Sequence, residues 1–340
     1  MFRALQICLL VALLQLAACD RSSRLPEYEL SGSALGTTFS VLLVAPPDNL
    51  SKEELQSGIL GTLEEVDRLA STWREDSELS RFNASQESDW IDTSTEFCGA
   101  IENALEVSRL TDGAFDITVG PLVNLWGFGP GGDIVQPPTE DALLAVMAGV
   151  GYQGLQTHCD VPAVKKQSNR IYIDLSGWAK GYAVDQVATL LDQNKLKDYL
   201  VEIGGELRVR GHNAEGLKWA VAIETPSTTK RVPHSVLRVT DTGVATSGDY
   251  RNYFEHDGQL YSHTIDARKG RPVAHSLAAV TVVNPSAAFA DAMATALLVL
   301  GPTDGPQRAE ELGIAAYFLI RKETNFETVT TGPFDQLISS

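Results

Sequence analysis

Positive charge is scarce in this 340-residue chain. It carries 27 Lys and Arg against 44 Asp and Glu, a formal net charge of −17 at pH 7, with a pI near 4.7. No basic stripe interrupts that balance, which argues against nucleic acid as a partner. Cysteine is scarce too. The four present, Cys8, Cys19, Cys98 and Cys159, lack the spacing of a metal site. No repeat or low-complexity run stands out. No Gly-x-Gly-x-x-Gly follows the first predicted strand, so nothing indicates a dinucleotide-binding Rossmann unit.

What the chain does contain begins with a targeting segment. Arg3 supplies a positive start, and residues 5–18 form an apolar run too short for a comfortable membrane span. The run ends Leu16-Ala17-Ala18-Cys19, which resembles a bacterial lipoprotein signal: small residues, then a cysteine that takes the lipid. This predicts a signal peptide over 1–18, a lipidated Cys19 with a short polar tether over 19–32, and one large domain over 33–335. A doubly or triply acylated cysteine is a stable anchor. Asp20 directly after it resembles an inner-membrane retention signal, so the expected location is the periplasmic side of the cell inner membrane. With Cys8 removed and Cys19 lipidated, Cys98 and Cys159 remain. In an oxidising compartment they could pair, although sequence alone does not show that they meet.

Hydrophobic periodicity predicts a strand over 36–44, then a helix opened by the Ser51/Glu54 capping box with Leu55, Ile59, Leu63, Val66 and Leu69 on its apolar face. Helices follow over 95–110 and 140–148, separated by a Gly- and Pro-rich loop over 127–138 that is the candidate hinge or lid. After a corner near 174–185, short strands are expected near 199–203, 206–210, 218–224, 235–240, 259–265 and 279–284. Helices near 287–300 and 305–312 then precede a strand at 315–320. Helices mixed with hairpin-like strands predict an α+β or mixed-sheet α/β domain with a cleft between lobes, not a regular doubly wound sheet.

Three segments carry chemistry. In Ile171-Tyr172-Ile173-Asp174-Leu175-Ser176-Gly177-Trp178-Ala179-Lys180-Gly181, a β-type apolar run ends in a carboxylate, a Ser-Gly turn follows, and a helix opens near a lysine. Asp174, the Gly177 backbone and Lys180 would share one corner, where helix-start N–H groups and a cation suit a phosphate-bearing ligand. An ordinary buried junction uses the same residue types. The second segment, 288–300, is alanine-rich and apolar nearly all round, which predicts a buried helix closing at Gly301 before Pro302. Asp291 and Thr295 are four apart and share a face. Their oxygens suit Mg²⁺, which takes few protein ligands and completes its shell with water and phosphate oxygens. A capping or core hydrogen-bond role for Asp291 is the alternative. In the third segment, Tyr261 to Pro272, a strand runs into a Lys-Gly turn. There His263 is either a general base for neutral pH or an ordinary surface or core histidine.

Several blocks in order resemble the ApbE family of lipoprotein FAD:protein FMN transferases. They are Ser77-Glu78-Leu79-Ser80-Arg81-Phe82-Asn83, Asp112 to Gly127, Asp174 to Asp185, Glu202-Ile203-Gly204-Gly205-Glu206, Ala245-Thr246-Ser247-Gly248-Asp249-Tyr250, His263 to Pro272, and Asp291 to Thr295. The resemblance implies an Mg²⁺-dependent transfer of FMN from FAD to a Thr or Ser hydroxyl of a target flavoprotein, with release of AMP. It implies flavin-nucleotide contacts at Ala114, Phe115, Asp116, Asp174, Lys180 and Ile265. It also implies Mg²⁺ bound by the Gly177 carbonyl, the Asp291 carboxylate and the Thr295 hydroxyl. Trp73 stands where relatives carry a tyrosine, and Leu35 where they carry a methionine; both are expected at the flavin. His263 is the expected base, with Asp291 as its rival. The implied acceptors are membrane flavoprotein subunits of sodium-pumping NADH:quinone reductases or related electron-transfer complexes. An FAD pyrophosphatase, which would use water in place of the protein hydroxyl, needs the same metal site. A non-catalytic flavin-binding lipoprotein would need no metal carboxylate, and a solute receptor would bind a non-flavin ligand without turnover.

Overall fold

The first sheet edge is a hairpin built on side-chain alternation. β1 (Glu27–Ala34) pairs antiparallel with β2 (Thr37–Val44), where Phe39, Val41 and Leu43 are buried at every second position. The turn between them is Leu35-Gly36, with φ of 52° and 71°. Two positive φ values in a two-residue loop match the twist of the flanking strands. In this computed structural model residues 24–338 are described, apart from 48, 88, 131–135, 228–231 and 251. The signal segment and Cys19 lie outside the described residues, as does part of the 127–138 loop. β1 starts inside the segment read from sequence as tether, because its alternation is too weak to stand out until β2 pairs with it.

Helix α1 (Lys52–Ala70) is capped by Ser51, whose hydroxyl accepts from the Glu54 N–H, and it buries the predicted stripe from Leu55 to Leu69. Next come α2 (Glu78–Ala84), β3 (Trp90–Asp92) and α3 (Thr95–Leu110). Then follow α4 (Gly120–Leu125), α5 (Glu140–Met147), β4 (Leu155–His158), β5 (Ala163–Lys166) and α6 (Ser176–Gln193). A disulfide joins Cys98 of α3 to Cys159, 61 residues away. The rest is mostly strand: β6 (Tyr199–Ile203), β7 (Glu206–Arg210), β8 (Trp219–Glu224), β9 (Pro233–Val239) and β10 (Thr242–Gly248). β11 (Tyr253–His256), β12 (Gln259–Ser262), β13 (Ile265–Asp266), β14 (Arg271–Pro272) and β15 (Leu277–Asn284) lead to helix α7 (Ala287–Glu311), then β16 (Ala315–Arg321) and β17 (Phe326–Thr331).

The main sheet has eight strands in the order β1-β2-β6-β7-β10-β15-β16-β17. Every neighbouring pair is antiparallel, so the fold lies on the α+β side of the expectation. Helices α1, α6 and α7 pack on one face through Ile59, Leu63, Val184, Val187 and the apolar residues of α7. The β8–β9 hairpin covers the other face with Trp219, Val221, Ile223 and Leu237. A smaller lobe, centred on Leu122, Trp126, Leu143 and Ile265, leans across one end of the sheet. Among the described residues no helix is long and apolar enough to cross a membrane.

Two predicted elements differ. Residues 171–174 form no strand. The Asn83 amide takes the place of a neighbouring strand: its Oδ1 accepts from the Ile173 N–H at 2.7 Å, and its Nδ2 donates to the Ile173 carbonyl at 2.8 Å. The strand expected over 259–265 breaks at His263, whose N–H bonds back to the Asn252 carbonyl. The two helices expected at 287–300 and 305–312 are both present within the span α7: the non-helical backbone of Gly301 (φ 85°) ends the first where the sequence places its close. A side chain there would meet the His275 ring at 2.9 Å.

Candidate active site

A cleft of about 580 Å³ opens where the small lobe meets the end of the main sheet. That size suits a cofactor-scale ligand. Every site residue singled out in the described part of the sequence lines it: Leu35, Trp73, Ala114, Phe115, Asp116, Asp174, Gly177, Lys180, His263, Ile265, Asp291 and Thr295. Leu35 comes from the β1–β2 turn, Gly177 and Lys180 from the first turns of α6, Asp291 and Thr295 from α7, and His263 and Ile265 from the small lobe. The convergence of α6 and α7 is enforced at Gly181. A Cβ there would sit 2.3 Å from the Ala287 carbonyl oxygen, so only glycine lets the helices approach. Asp185 locks the same junction, accepting from the Ser286 hydroxyl and the Ala287 and Ala288 N–H groups at the start of α7.

The floor of the cleft concentrates negative charge. Asp291 and Glu206 are both almost completely buried. Lys180 Nζ lies 2.5 Å from Glu206 Oε1 and 4.0 Å from Asp291 Oδ1. Burial raises both carboxyl pKa values, with Glu206 pushed up to about 7 despite the opposing pull of Lys180. Two carboxylates therefore share one ammonium, and among the described residues Glu206 Oε2 has no hydrogen-bond partner.

The donor set fits a hard divalent cation such as Mg²⁺. In a regular helix the N–H of Gly181 belongs to the Gly177 carbonyl, yet here it donates to Asp291 Oδ2 at 3.1 Å. That carbonyl thus does not keep its donor to itself. A methyl group on Gly177 would sit 3.3 Å from Thr295 Oγ1, which places the α6 turn against the Thr295 hydroxyl. Among the described residues no group of three or more His, Cys, Asp or Glu could hold a metal. A cation here would depend on one carboxylate, a carbonyl and a hydroxyl, a small protein share that matches Mg²⁺ chemistry.

His263 faces the same space from the small lobe. Its Nδ1 is 3.0 Å from the Asn252 carbonyl oxygen. A carbonyl only accepts, so the neutral ring carries its hydrogen on Nδ1 and leaves Nε2 as an acceptor. Burial pushes the imidazole pKa below its ordinary value, and the Lys180 charge acts in the same direction. An aromatic wall backs it: Phe128 packs on Phe254, which stacks on Tyr261, which stacks on Trp126. Trp73 stands at the rim with 70% of its surface exposed, the shape of a stacking face awaiting a partner.

Two sequence-predicted contacts are already engaged in holding the chain. Asp116 Oδ1 accepts from the Thr118 N–H and hydroxyl, and its Oδ2 accepts from the Tyr152 N–H. Asp174 Oδ1 accepts from the Ser176 N–H at 2.7 Å and shapes the entry to α6. Sequence reading assigned Glu206 no role, although it belongs to the Gly204-Gly205-Glu206 block. Its signal is a carboxylate directly after a glycine pair, at the inward position of a strand.

The match to known proteins covers nearly the whole chain. Residues 35–318 match the ApbE family. The chain belongs to the ApbE family. It is a transferase, as its relatives are. It is 40% identical to the FAD:protein FMN transferase of Vibrio cholerae serotype O1 over 97% of this chain and 98% of that one. Identity to the enzyme of the same name from Escherichia coli K12 is 38%, over 98% and 97%. The solved flavin transferase ApbE from Vibrio cholerae superposes with a TM-score of 0.85 at 38% identity, covering 92% of this chain and 99% of that one. The apo flavinyl transferase ApbE of Pseudomonas stutzeri gives the same TM-score at 38% identity, over 93% and 98%.

Proposed function

We propose that this transferase moves the FMN half of FAD onto a Ser or Thr hydroxyl of an acceptor flavoprotein, with Mg²⁺ as its metal and AMP as the leaving group. One observation carries the reading: a lysine, a histidine whose Nδ1 faces the Asn252 carbonyl, and the Gly177, Asp291 and Thr295 oxygens converge in a single nucleotide-sized cleft. The names of the relatives supply the substrate.

In the proposed step the acceptor oxygen bonds to the phosphorus on the FMN side of the pyrophosphate. The P–O bond to AMP breaks, its electron pair leaves with AMP, and the hydroxyl proton passes to His263 Nε2. Lys180 balances charge on the pyrophosphate and the departing phosphate. The Gly177 carbonyl, Asp291 and Thr295 would hold Mg²⁺, which would supply further neutralisation of phosphate charge. Asp291 is the alternative base only if the metal does not occupy it. Ala114, Phe115, Ile265, Leu35 and Trp73 offer apolar and aromatic surface to the flavin, while Asp116 and Asp174 hold their loops against the nucleotide.

Lipidation at Cys19 would tether the enzyme to the periplasmic face of the inner membrane. The Cys98–Cys159 disulfide supports an oxidising compartment. The acceptors would be membrane flavoprotein subunits of sodium-pumping NADH:quinone reductases or related complexes.

The test is incubation with FAD, Mg²⁺ and such a subunit, read by intact mass of the acceptor and by AMP release. Covalent FMN on the acceptor, with AMP formed only when acceptor is present, is the expected result. AMP and free FMN formed at the same rate without acceptor would make the enzyme a pyrophosphatase instead.

A further inference from the structure

The geometry assigns Glu206 a positioning task in the cation site: one oxygen holds Lys180 off Asp291, and the other accepts a hydrogen bond from water on the bound divalent ion. This rests on the metal reading above and extends it to a residue outside the proposed ligand set.

The first half follows from the distances. Two buried carboxylates compete for the Lys180 ammonium, and Glu206 Oε1 has it at 2.5 Å while Asp291 Oδ1 stands 4.0 Å away. The arrangement is built in, because the lysine stem lies along the β6–β7 turn. A Cβ on Gly204 would meet Lys180 Cδ at 3.2 Å. The turn itself is fixed by Glu202 Oε1, which accepts from the Gly205 N–H at 2.6 Å. Without Glu206 the ammonium loses its shortest carboxylate contact and can close on Asp291, where it would compete with a metal.

The second half follows from the partnerless oxygen. Glu206 is 2% exposed, lines the cleft, and its Oε2 has no hydrogen-bond donor among the described residues. A buried carboxylate oxygen left in that state is strongly disfavoured. The donor comes either from a proton held by the carboxyl itself or from what enters the cleft. Because among the described residues the floor carries two carboxylates against one ammonium, a cation with its water shell satisfies it better than a neutral hydroxyl does. Mg²⁺ retains several waters when protein-bound, and carboxylates in the outer shell orient them.

The test uses Mn²⁺ in place of Mg²⁺ and the full chain without FAD, with binding followed by electron paramagnetic resonance. Glu206→Gln preserves shape but turns the outer acceptor into an amide. It should weaken Mn²⁺ binding by about ten- to hundredfold and raise the Mg²⁺ concentration needed for half-maximal transfer. Glu206→Asp should recover part of the loss. An Mn²⁺ affinity for folded Glu206→Gln within about twofold of the unaltered chain, well short of the loss expected for an outer-shell ligand, overturns the assignment. If circular dichroism shows Glu206→Gln unfolded, Glu206→Asp decides in its place: a clear loss of affinity supports the task and none overturns it. Asp291→Ala is the control. If it binds Mn²⁺ as the unaltered chain does, the metal reading itself fails and takes this one with it. If it loses Mn²⁺ while Glu206→Gln does not, only the Glu206 assignment falls.

Discussion

His263, Asp291 and Trp73 divide the work in ways that single substitutions separate. His263 has its pKa lowered, so its acceptor form persists at neutral pH and is lost only as pH falls through that depressed value. Transfer should therefore be flat above neutrality and decline on the acid side. His263→Gln should remove that acid limb and slow transfer by on the order of a hundredfold with FAD affinity intact; equal losses of binding and rate would mark a positioning residue. Asp291→Asn keeps an acceptor for the Gly181 N–H but removes the charge. Metal-dependent transfer should drop by roughly two to three orders of magnitude, and near-normal turnover would refute a ligand role. Trp73 touches little at the rim, so Trp73→Ala should leave stability unchanged and weaken FAD binding by about five- to tenfold, the worth of one stacking contact. Equilibrium titration of flavin fluorescence reads this directly.

At the scale of elements, the site depends on how α6 meets α7. Asp185 bonds both the Ser286 hydroxyl and the first N–H groups of α7, and also receives Arg208 at 2.6 Å. Asp185→Ala leaves Ser286 as the cap for the Phe289 N–H but takes the carboxylate acceptor from the Ala287 and Ala288 N–H groups and from Arg208. Urea unfolding should show a loss of about 2 kcal/mol, and Mg²⁺ should bind more weakly because the register of Asp291 is no longer fixed. The disulfide acts on a different element pair, closing a loop of 61 residues between α3 and the segment after β4. On chain-entropy grounds it contributes up to about 4 kcal/mol. Replacing both cysteines by alanine should lower the unfolding midpoint in urea while transfer by the folded fraction continues, since neither sulfur lines the cleft.

At the scale of the molecule, a net charge of −17 has to coexist with an anionic substrate, and the buried floor shows how. Glu206 has its pKa raised from 4.5 to about 7. A raised carboxyl pKa favours the folded state below the unfolded value, and that contribution is lost as pH rises through the folded one. Metal-free protein should therefore lose melting temperature between about pH 5 and pH 7.5 more steeply than Glu206→Gln does. Saturating Mg²⁺ should flatten the difference, because a cation replaces the proton. Calorimetric scans with and without chelator check both arms; identical slopes for the two proteins would remove the buried pair as the cause.

The sequence by itself determined the parts with strong local physics. The capped helix from Lys52, the alanine-rich helix bearing Asp291 and Thr295, and the Ser176–Lys180 turn are set by capping, periodicity and glycine placement within a few residues. The composition of the cleft was legible for the same reason, since its residues sit in short dense blocks. What only the tertiary structure decided is everything that needs two distant segments to meet. Asn83 takes the place of a strand beside Ile173, Cys98 meets Cys159, and β1 finds its register only against β2. Glu206 becomes a buried competitor for Lys180 only once β7 lies under α6. A carboxylate after two glycines looks like an ordinary turn residue, and its chemistry arises when burial removes water from one of its oxygens and leaves that oxygen without a donor among the described residues.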